Sequence, residues 1–543
     1  MPKKIFVGVA WPYVNGDIHV GHLAGYLLPA DIFARFHRYI GNDVLMVSGS
    51  DCFGTPITIE ADKRGTSPQD IVDEYHAKNV HLFQKLDISY DRYTKTTTEN
   101  HIALAQQFFL TLLEKEYIFK DTTQQYYSEE ENRFLPDRYV IGTCPQCGLV
   151  DARSDQCDSC GKVLESGELE SPRSRLSGSP VSLKDTEHYF LDWPKLEPFL
   201  KKYVQGKGHE WRDWVCKETE GWQRQGLKPR AITRDLDWGV PLPEDQIPEE
   251  KKIAHIKNKR LYVWFEAVIG YLSASIEWAE GSKKWKDWWY NKDARHYYFM
   301  GKDNLIFHTL FWPGELHAYD ENLNLPDVPA INQFLQLEGR QFSKSRGIIL
   351  GLDQLDEEYG NDPLRFYIAS IMPETHDTNF NWDNFARTHN NVLIANLGNF
   401  INRTLTLSQD VKMHAHFVHR KALHHTKHAM EKAYDALENT QFKKYVEAIL
   451  ELSSFGNKYM SDMRPWEEKD QDTEKFHKTM ASCMHIVLAL HALIKPLLPE
   501  TYEKLSHMIG VDFPQWPNNK ELITTLDGLH IENIKPLFKK IEE

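Results

Sequence analysis

The first fifty residues constrain the fold more tightly than any other stretch of the chain. An apolar run at 5–9 leads into a Pro- and Gly-containing loop at 11–16, then an apolar-periodic segment at 19–39 and a second apolar run at 44–47. Strand, loop, long helix, strand is the order of a parallel β-α-β unit, whose ligand crevice lies beyond the carboxyl ends of its strands. Crossover helices cover both faces of such a sheet, so an α/β domain of Rossmann type is expected here.

Strand signals return at 261–265, 296–300 and 330–337 and are expected to complete the sheet. Between the halves, residues 116–230 break the pattern with four close-set cysteines, a Ser/Gly/Pro-rich stretch at 166–180 and Trp-rich polar segments. They read as an inserted domain. From 381 onward strand signals give way to helical spacing, as in Val392, Leu393, Ala395, Asn396, Leu397, Asn399 and Phe400, and an all-α helix bundle is expected.

A chain of 543 residues exceeds what one hydrophobic core serves, in keeping with several domains. The formal charge is −14, from 64 Lys plus Arg against 78 Asp plus Glu, so any nucleic-acid partner must meet a local basic surface. The apolar stretch before Trp11-Pro12 and the run at 486–490 are too brief for a signal core or a membrane span. A soluble cytoplasmic protein without membrane contact is expected.

His19-Val20-Gly21-His22 stands at the mouth of the first predicted helix. Two imidazoles three residues apart, beside first-turn N–H groups that have no helical partner, suit a polyphosphate, and Gly21 lets a ligand approach the backbone. Taken alone, the pattern fits capping histidines as well. Far downstream, residues 339–347 (GRQFSKSRG) form a basic, glycine-bounded loop that can close over ATP and neutralise phosphate charge. Taken alone, this is equally a solvated basic loop.

Together, in this order and separated by an insertion, the two elements resemble the signatures of class I aminoacyl-tRNA synthetases. Residues 19–22 match the HIGH signature, and 342–345 match the last four positions of KMSKS. Gln341 stands where the signature has its first Lys, and Phe342 where it has Met. The resemblance therefore assigns catalysis to His19, His22 and Lys344, with ATP also held by Gly21, Gly301, Asp303, Ser343 and Ser345 and accompanied by Mg²⁺.

Segments 10–16 (AWPYVNG), 50–56 (SDCFGTP), 262–271 (YVWFEAVIGY) and 301–312 (GKDNLIFHTLFW) are similar to the methionine branch, the methionyl-tRNA synthetases. A flexible, polarizable thioether favours aromatic edges. Trp264, Tyr271, Phe307 and Trp312 are expected to form that wall, with Tyr13 and His308 donating weakly to sulfur. Trp11, Ala267, Val268 and Asn304 complete the implied pocket; Trp11 stands where a well-studied bacterial branch has leucine, and Asn304 where it has isoleucine. Asp51 can hold the substrate ammonium, and Arg234 matches the family residue that pairs with it. A buried structural ion pair is the alternative reading.

Cys144-x2-Cys147-x9-Cys157-x2-Cys160 makes two chelating knuckles, each with glycine just after its second cysteine. Four thiolates suit one tetrahedral Zn²⁺ in a closed, structural site. The same knuckle spacing occurs in the inserted domain of the family. In the helical region Asn399, Arg403 and Trp466 match residues that read the anticodon, where Arg bonds base edges and Trp stacks an unpaired base.

The resulting partition is a catalytic first half at 1–115, an insertion at 116–230 with its zinc knuckle at 141–165, and a second half at 231–325. A KMSKS-like loop and stem-contact region at 326–380 and an anticodon-binding domain at 381–543 follow. The implied reaction joins L-methionine to tRNA(Met), initiator and elongator, through methionyl-adenylate. A monomer is expected. The hydrolytic editing domain of the leucine, isoleucine and valine enzymes does not fit between 116 and 230. A catalytically silent paralogue would lack His19, His22, Asp51 or Lys344.

Overall fold

The computed structural model describes residues 2–136, 139–154, 157, 159–160, 164, 167–338, 340–341, 360–409, 411, 413–469 and 473–541. Five parallel strands form the central sheet: β1 (Lys4–Val9), β2 (Asp43–Ser50), β3 (Arg92–Lys95), β4 (Arg295–Gly301) and β5 (Val328–Asn332). Their spatial order is β3-β2-β1-β4-β5. The winding reverses between β1 and β4, which opens the crevice at the carboxyl ends of these two strands. Both strands are buried almost throughout, as a sheet covered on two faces requires.

The expected α/β class therefore holds, with two differences in the strands. Residues 261–265 do not join the sheet: Lys259–Leu261 pairs antiparallel with Thr233–Asp235, and the chain turns helical at Val263–Glu266. A short apolar run does not by itself distinguish a strand from a buried helical turn. The stretch 330–337 divides in two, because Leu335–Leu337 leaves the sheet to pair with Arg340–Gln341 and Thr378–Phe380. The last parallel strand, β5, lies beyond residue 325, so the sheet runs into the region assigned from sequence to the basic loop.

The crossover from β1 to β2 runs through Val20–His22, a widened π-turn at Leu23–Leu27 and the helix Leu28–Tyr39. Asp31 on this helix is fully buried. Burial alone would raise its pKa, but Arg35 at 2.8 Å and Arg365 at 2.7 Å hold the carboxyl down to about 2. Arg365 also donates to the carbonyl of Leu497, tying the first helix to the C-terminal helices.

The insertion carries an antiparallel sheet of Arg230–Ala231, Ser182–Leu191, Ile118–Ser128 and Arg133–Phe134. A three-stranded sheet of Val140–Thr143, Ala152–Arg153 and Glu170–Ser174 surrounds the cysteines and has its own small core, including Leu135, Val140 and Leu169. In the C-terminal region the helix Thr473–Ile494 is buried at every position from 479 on, with Arg420–Glu438 and Phe442–Met463 packed about it. Trp516 wedges back against the catalytic region: its N–H donates to the Tyr39 carbonyl at 2.9 Å, and its ring meets Phe36, Tyr39 and Tyr434 edge-on. Among the described residues no helix is long and apolar enough to cross a membrane.

Candidate active site and metal centre

The histidine motif occupies the crevice where β1 ends. His19 is the N-cap of Val20–His22, and its Nδ1 accepts the N–H of Gly21 at 3.1 Å. The N–H of His19 in turn donates to His22 Nδ1 at 3.1 Å, closing a reciprocal capping box. The two rings lie 3.8 Å apart. The capping reading of the motif is met, and an Nδ1 that accepts leaves the N–H of a neutral ring on Nε2.

Beside it, the chain after β1 runs parallel to the end of β2, with Tyr13 opposite Asp51. The N–H of Asp51 donates to the Pro12 carbonyl at 2.9 Å, and Val14 returns a bond to the Asp51 carbonyl at 3.3 Å. Tyr13 meets Trp264 edge-on at 6.1 Å, and Trp264 stacks on Phe307 at 4.0 Å. Behind this half-buried row lie Ala267, Val268, Tyr271, His308 and Trp312, all buried. Trp11 stands at right angles to Tyr271 at 6.4 Å. Gly301 ends β4 and Asp303 stands in the turn after it; a Cβ at 301 would come 2.7 Å from Asp303 Oδ1, so glycine leaves room for the carboxylate to fold back. Asn304 follows, in the turn Lys302–Asn304.

Three expectations need revision. His308 Nδ1 lies 3.0 Å from the Asn304 carbonyl, which only accepts, so the ring donates there and its Nε2 accepts from the Tyr271 hydroxyl at 2.7 Å. Burial pushes His308 down to about 4, so no ring N–H remains for a thioether sulfur; His308 orients Tyr271 instead. Trp312 donates to the Tyr298 hydroxyl at 3.1 Å and backs the wall as a fully buried layer. Arg234 makes no ion pair with Asp51 among the described residues. Its guanidinium donates to the carbonyls of Ala231 and Thr233 and lies 4.1 Å from the Tyr262 ring.

Sequence reasoning missed the partners of Asp51. Burial, and then the nearby Glu266, push the Asp51 pKa well up. Glu266 is itself fully buried, and its Oε1 has no hydrogen-bond partner among the described residues. Its Oε2 meets His101 Nε2 at 2.8 Å. A carboxylate inside the apolar run 262–271 was the one available signal, whereas nothing local marks His101.

The four cysteine sulfurs lie within 4.8 Å of one another, with Cys144 to Cys160 at 3.8 Å and Cys147 to Cys157 at 3.6 Å. Thiolates about 2.3 Å from a tetrahedral ion stand about 3.8 Å apart, so the cluster fits a single metal ion. Backbone N–H groups, that of Cys160 foremost, draw the Cys157 thiol down to about 6, toward the thiolate a metal requires.

Two family models divide the chain between them: one described as tRNA synthetases class I (M) matches residues 5–405, and one described as the anticodon binding domain of methionyl tRNA ligase matches 417–543. This chain belongs to the methionyl-tRNA synthetases of class I. A methionine–tRNA ligase of Roseiflexus sp. (strain RS-1) is 44% identical over 531 residues, covering 94% of this chain and 87% of its own. One from Dehalococcoides mccartyi (strain CBDB1) is 42% identical and covers 100% and 98%. The fold is shared with Mycobacterium tuberculosis methionyl-tRNA synthetase in complex with methionyl-adenylate, at a TM-score of 0.78 and 22% identity over 99% of each chain.

Of the residues assigned by resemblance to methionyl-tRNA synthetases, Ser343, Lys344 and Ser345 lie outside the described residues. Arg403 is brought against Trp466, and Asn399 lies on the same helix as Arg403. Asn399 and Arg403 are one turn apart on the helix Asn399–Ser408, and the Arg403 guanidinium lies 5.3 Å from the Trp466 ring. Trp466 is 45% exposed, so much of its ring faces solvent. Asn399 donates to Asn457 Oδ1 at 3.3 Å. A cleft of about 1000 Å³ between the insertion and the catalytic region holds none of the assigned site residues.

Proposed function

We propose that this chain activates L-methionine with ATP and transfers it to the 3′-terminal ribose of tRNA(Met), initiator and elongator alike. The observation that carries the reading is the histidine capping box, set at the switch point of the sheet next to an aromatic pocket closed by Asp51. The methionine carboxylate oxygen attacks the α-phosphorus, the bond to the bridging oxygen breaks, and pyrophosphate leaves with the electron pair. A ribose hydroxyl then attacks the adenylate carbonyl and releases AMP.

The residues contribute position and charge rather than a covalent intermediate. His19 and His22 direct Nε2–H donors at phosphate oxygens, and Gly21 opens the backbone to them. Lys344, between Ser343 and Ser345, neutralises the departing pyrophosphate; one such donor commonly supplies about 100-fold in rate. Magnesium carried in with ATP would add charge neutralisation at the same oxygens. Gly301 and Asp303 face the ribose. Asp51 receives the ammonium, Trp11, Tyr13, Trp264 and Phe307 enclose the thioether, and Ala267, Val268, Tyr271, Asn304, His308 and Trp312 support them. Arg234 orders the strand that passes beneath.

Cys144, Cys147, Cys157 and Cys160 would hold one structural Zn²⁺, which ties the strands of the insertion together. Asn399, Arg403 and Trp466 present an amide, a guanidinium and an exposed indole suited to unpaired bases of the anticodon. We place the protein in the cytoplasm as a monomer, with the insertion spanning 116–230 and the anticodon domain 381–543.

The test is amino-acid-dependent ATP–pyrophosphate exchange with all twenty amino acids in parallel and tRNA withheld. Exchange with methionine alone supports the reaction and the pocket together. Exchange with none of them would overturn the catalytic reading.

A further inference from the structure

The aromatic rings of the pocket rest on glycines. A Cβ at Gly8 would stand 3.1 Å from the Tyr271 ring, and one at Gly54 would stand 2.2 Å from Tyr13. Trp11 is held from two sides: a Cβ at Gly49 would come within 2.3 Å of its six-membered ring, and one at Gly270 within 2.7 Å. Gly49 has a second reason to be glycine, since its Cβ would also press on the Thr94 carbonyl at 2.8 Å. Gly270 has none. The three nearest atoms to its missing Cβ all belong to Trp11, and its backbone is ordinary right-handed helix at φ −50° and ψ −36°. Alanine is the more stable residue in such a helix, so the backbone does not call for glycine there.

Trp11 also has no polar anchor among the described residues. Its indole Nε1 is buried and makes no hydrogen bond among the described residues, so packing alone sets the angle of the ring. That angle decides how far the indole reaches toward the amino-acid pocket. The leucine of the well-studied bacterial branch is smaller and would need no such slot.

We propose that Gly270 is a specificity-determining residue for the amino acid: with Gly49 it leaves the slot that seats the Trp11 indole, and the seated indole sets the depth of the methionine pocket. The inference rests on the assignment of Trp11, Tyr13 and Trp264 to that pocket. A side chain at 270 drives the indole out of the slot and into space the thioether fills. A shorter substrate is then disturbed less than methionine.

The experiment is ATP–pyrophosphate exchange with L-methionine and with L-norvaline, whose side chain is shorter by a heavy atom, in wild type, Gly270→Ala, Trp11→Leu and the double variant. Gly270→Ala is expected to raise the methionine KM about tenfold, leave the ATP KM unchanged, and lower the methionine-to-norvaline ratio of kcat/KM by a similar factor, within the range that one methylene commands. In the double variant the methionine KM is expected to return to within about twofold of Trp11→Leu alone, because the clash has lost its partner. An unchanged KM and ratio in Gly270→Ala, or a rise that persists in full on the Trp11→Leu background, would overturn the proposal. If Gly270→Ala does not fold, recovery of folded protein in the double variant supports the slot, and failure of both overturns it. Tyr13→Ala and Trp264→Ala separate the two levels. If they raise the methionine KM while Gly270→Ala does not, the slot falls and the pocket stands; if they too leave it unchanged, the pocket assignment itself falls, and the slot with it.

Discussion

His101 Nε2 lies 2.8 Å from Glu266 Oε2, a contact between two fully buried groups that a single shared proton satisfies. The Ser273 hydroxyl donates to the Gly270 carbonyl at 3.1 Å, so it accepts from His101 Nδ1, 3.0 Å away. With Nδ1 donating, the contact to Glu266 needs a proton of its own. Burial drives His101 down to about 3 and Glu266 well up, so both shifts favour that proton on the carboxyl. With the proton on Glu266 its charge no longer adds to the burial that raises Asp51.

The pair makes stability depend on pH in two directions. Glu266, with its folded pKa raised, contributes stability that is full below the ordinary glutamate pKa and lost as pH rises. His101, with its folded pKa lowered, contributes stability that is full above the ordinary histidine pKa and lost as pH falls. Glu266→Gln removes the first dependence and keeps the second. Its unfolding free energy relative to wild type is therefore expected to climb between about pH 5 and 8, by up to about 1.4 kcal/mol per unit. Denaturant titrations at four pH values would read this, and a flat difference would rule out the bound proton.

Tyr271→Phe leaves the buried Nε2 of His308 without its donor. The expected loss is about 1–3 kcal/mol of unfolding free energy, together with a higher methionine KM and an unchanged ATP KM. A variant as stable as wild type would refute the direction assigned to that hydrogen bond.

His19→Asn separates capping from chemistry. Asparagine is among the best N-cap residues, so the helix start should keep its stability to within about 0.5 kcal/mol. The imidazole donor is gone, and adenylate formation is expected to slow about 100-fold in single-turnover measurement. An unimpaired rate would confine His19 to the cap.

Cys157→Ser should take bound zinc from about one ion per chain to near none, since a structural site requires all four ligands. Hydrogen exchange should then accelerate in Val140–Thr143 and Glu170–Ser174 but not in β1. Unchanged protection around the cysteines would mean that the metal does not hold the insertion.

Trp466→Ala is expected to weaken tRNA charging about tenfold, in line with the loss of one stacked base, while sparing ATP–pyrophosphate exchange. If charging is undisturbed, the exposed indole does not meet the anticodon.

What was legible in advance is local in the chain. The strand-loop-helix opening follows from periodicity, and the His19 cap from residues three apart. The cysteine cluster follows from ligands brought together by two short knuckles. The C-terminal helices follow from apolar spacing that repeats each turn. Lys344, whose role rests on resemblance, lies outside the described residues.

The rest needed distant parts of the chain to meet. Whether 261–265 would pair as a strand or turn as a helix depended on what lay against it, since short apolar runs satisfy either. Glu266 finds His101 across 165 residues. His308 exhausts its nitrogens on Asn304 and Tyr271, and Trp11 rests between Gly49 and Gly270. By itself the sequence determined which elements form and which chemistry they carry, because periodicity, capping and chelation act within a few residues. Only the tertiary structure decided hydrogen-bond partners and ring contacts, because burial and packing arise between segments that no local pattern connects.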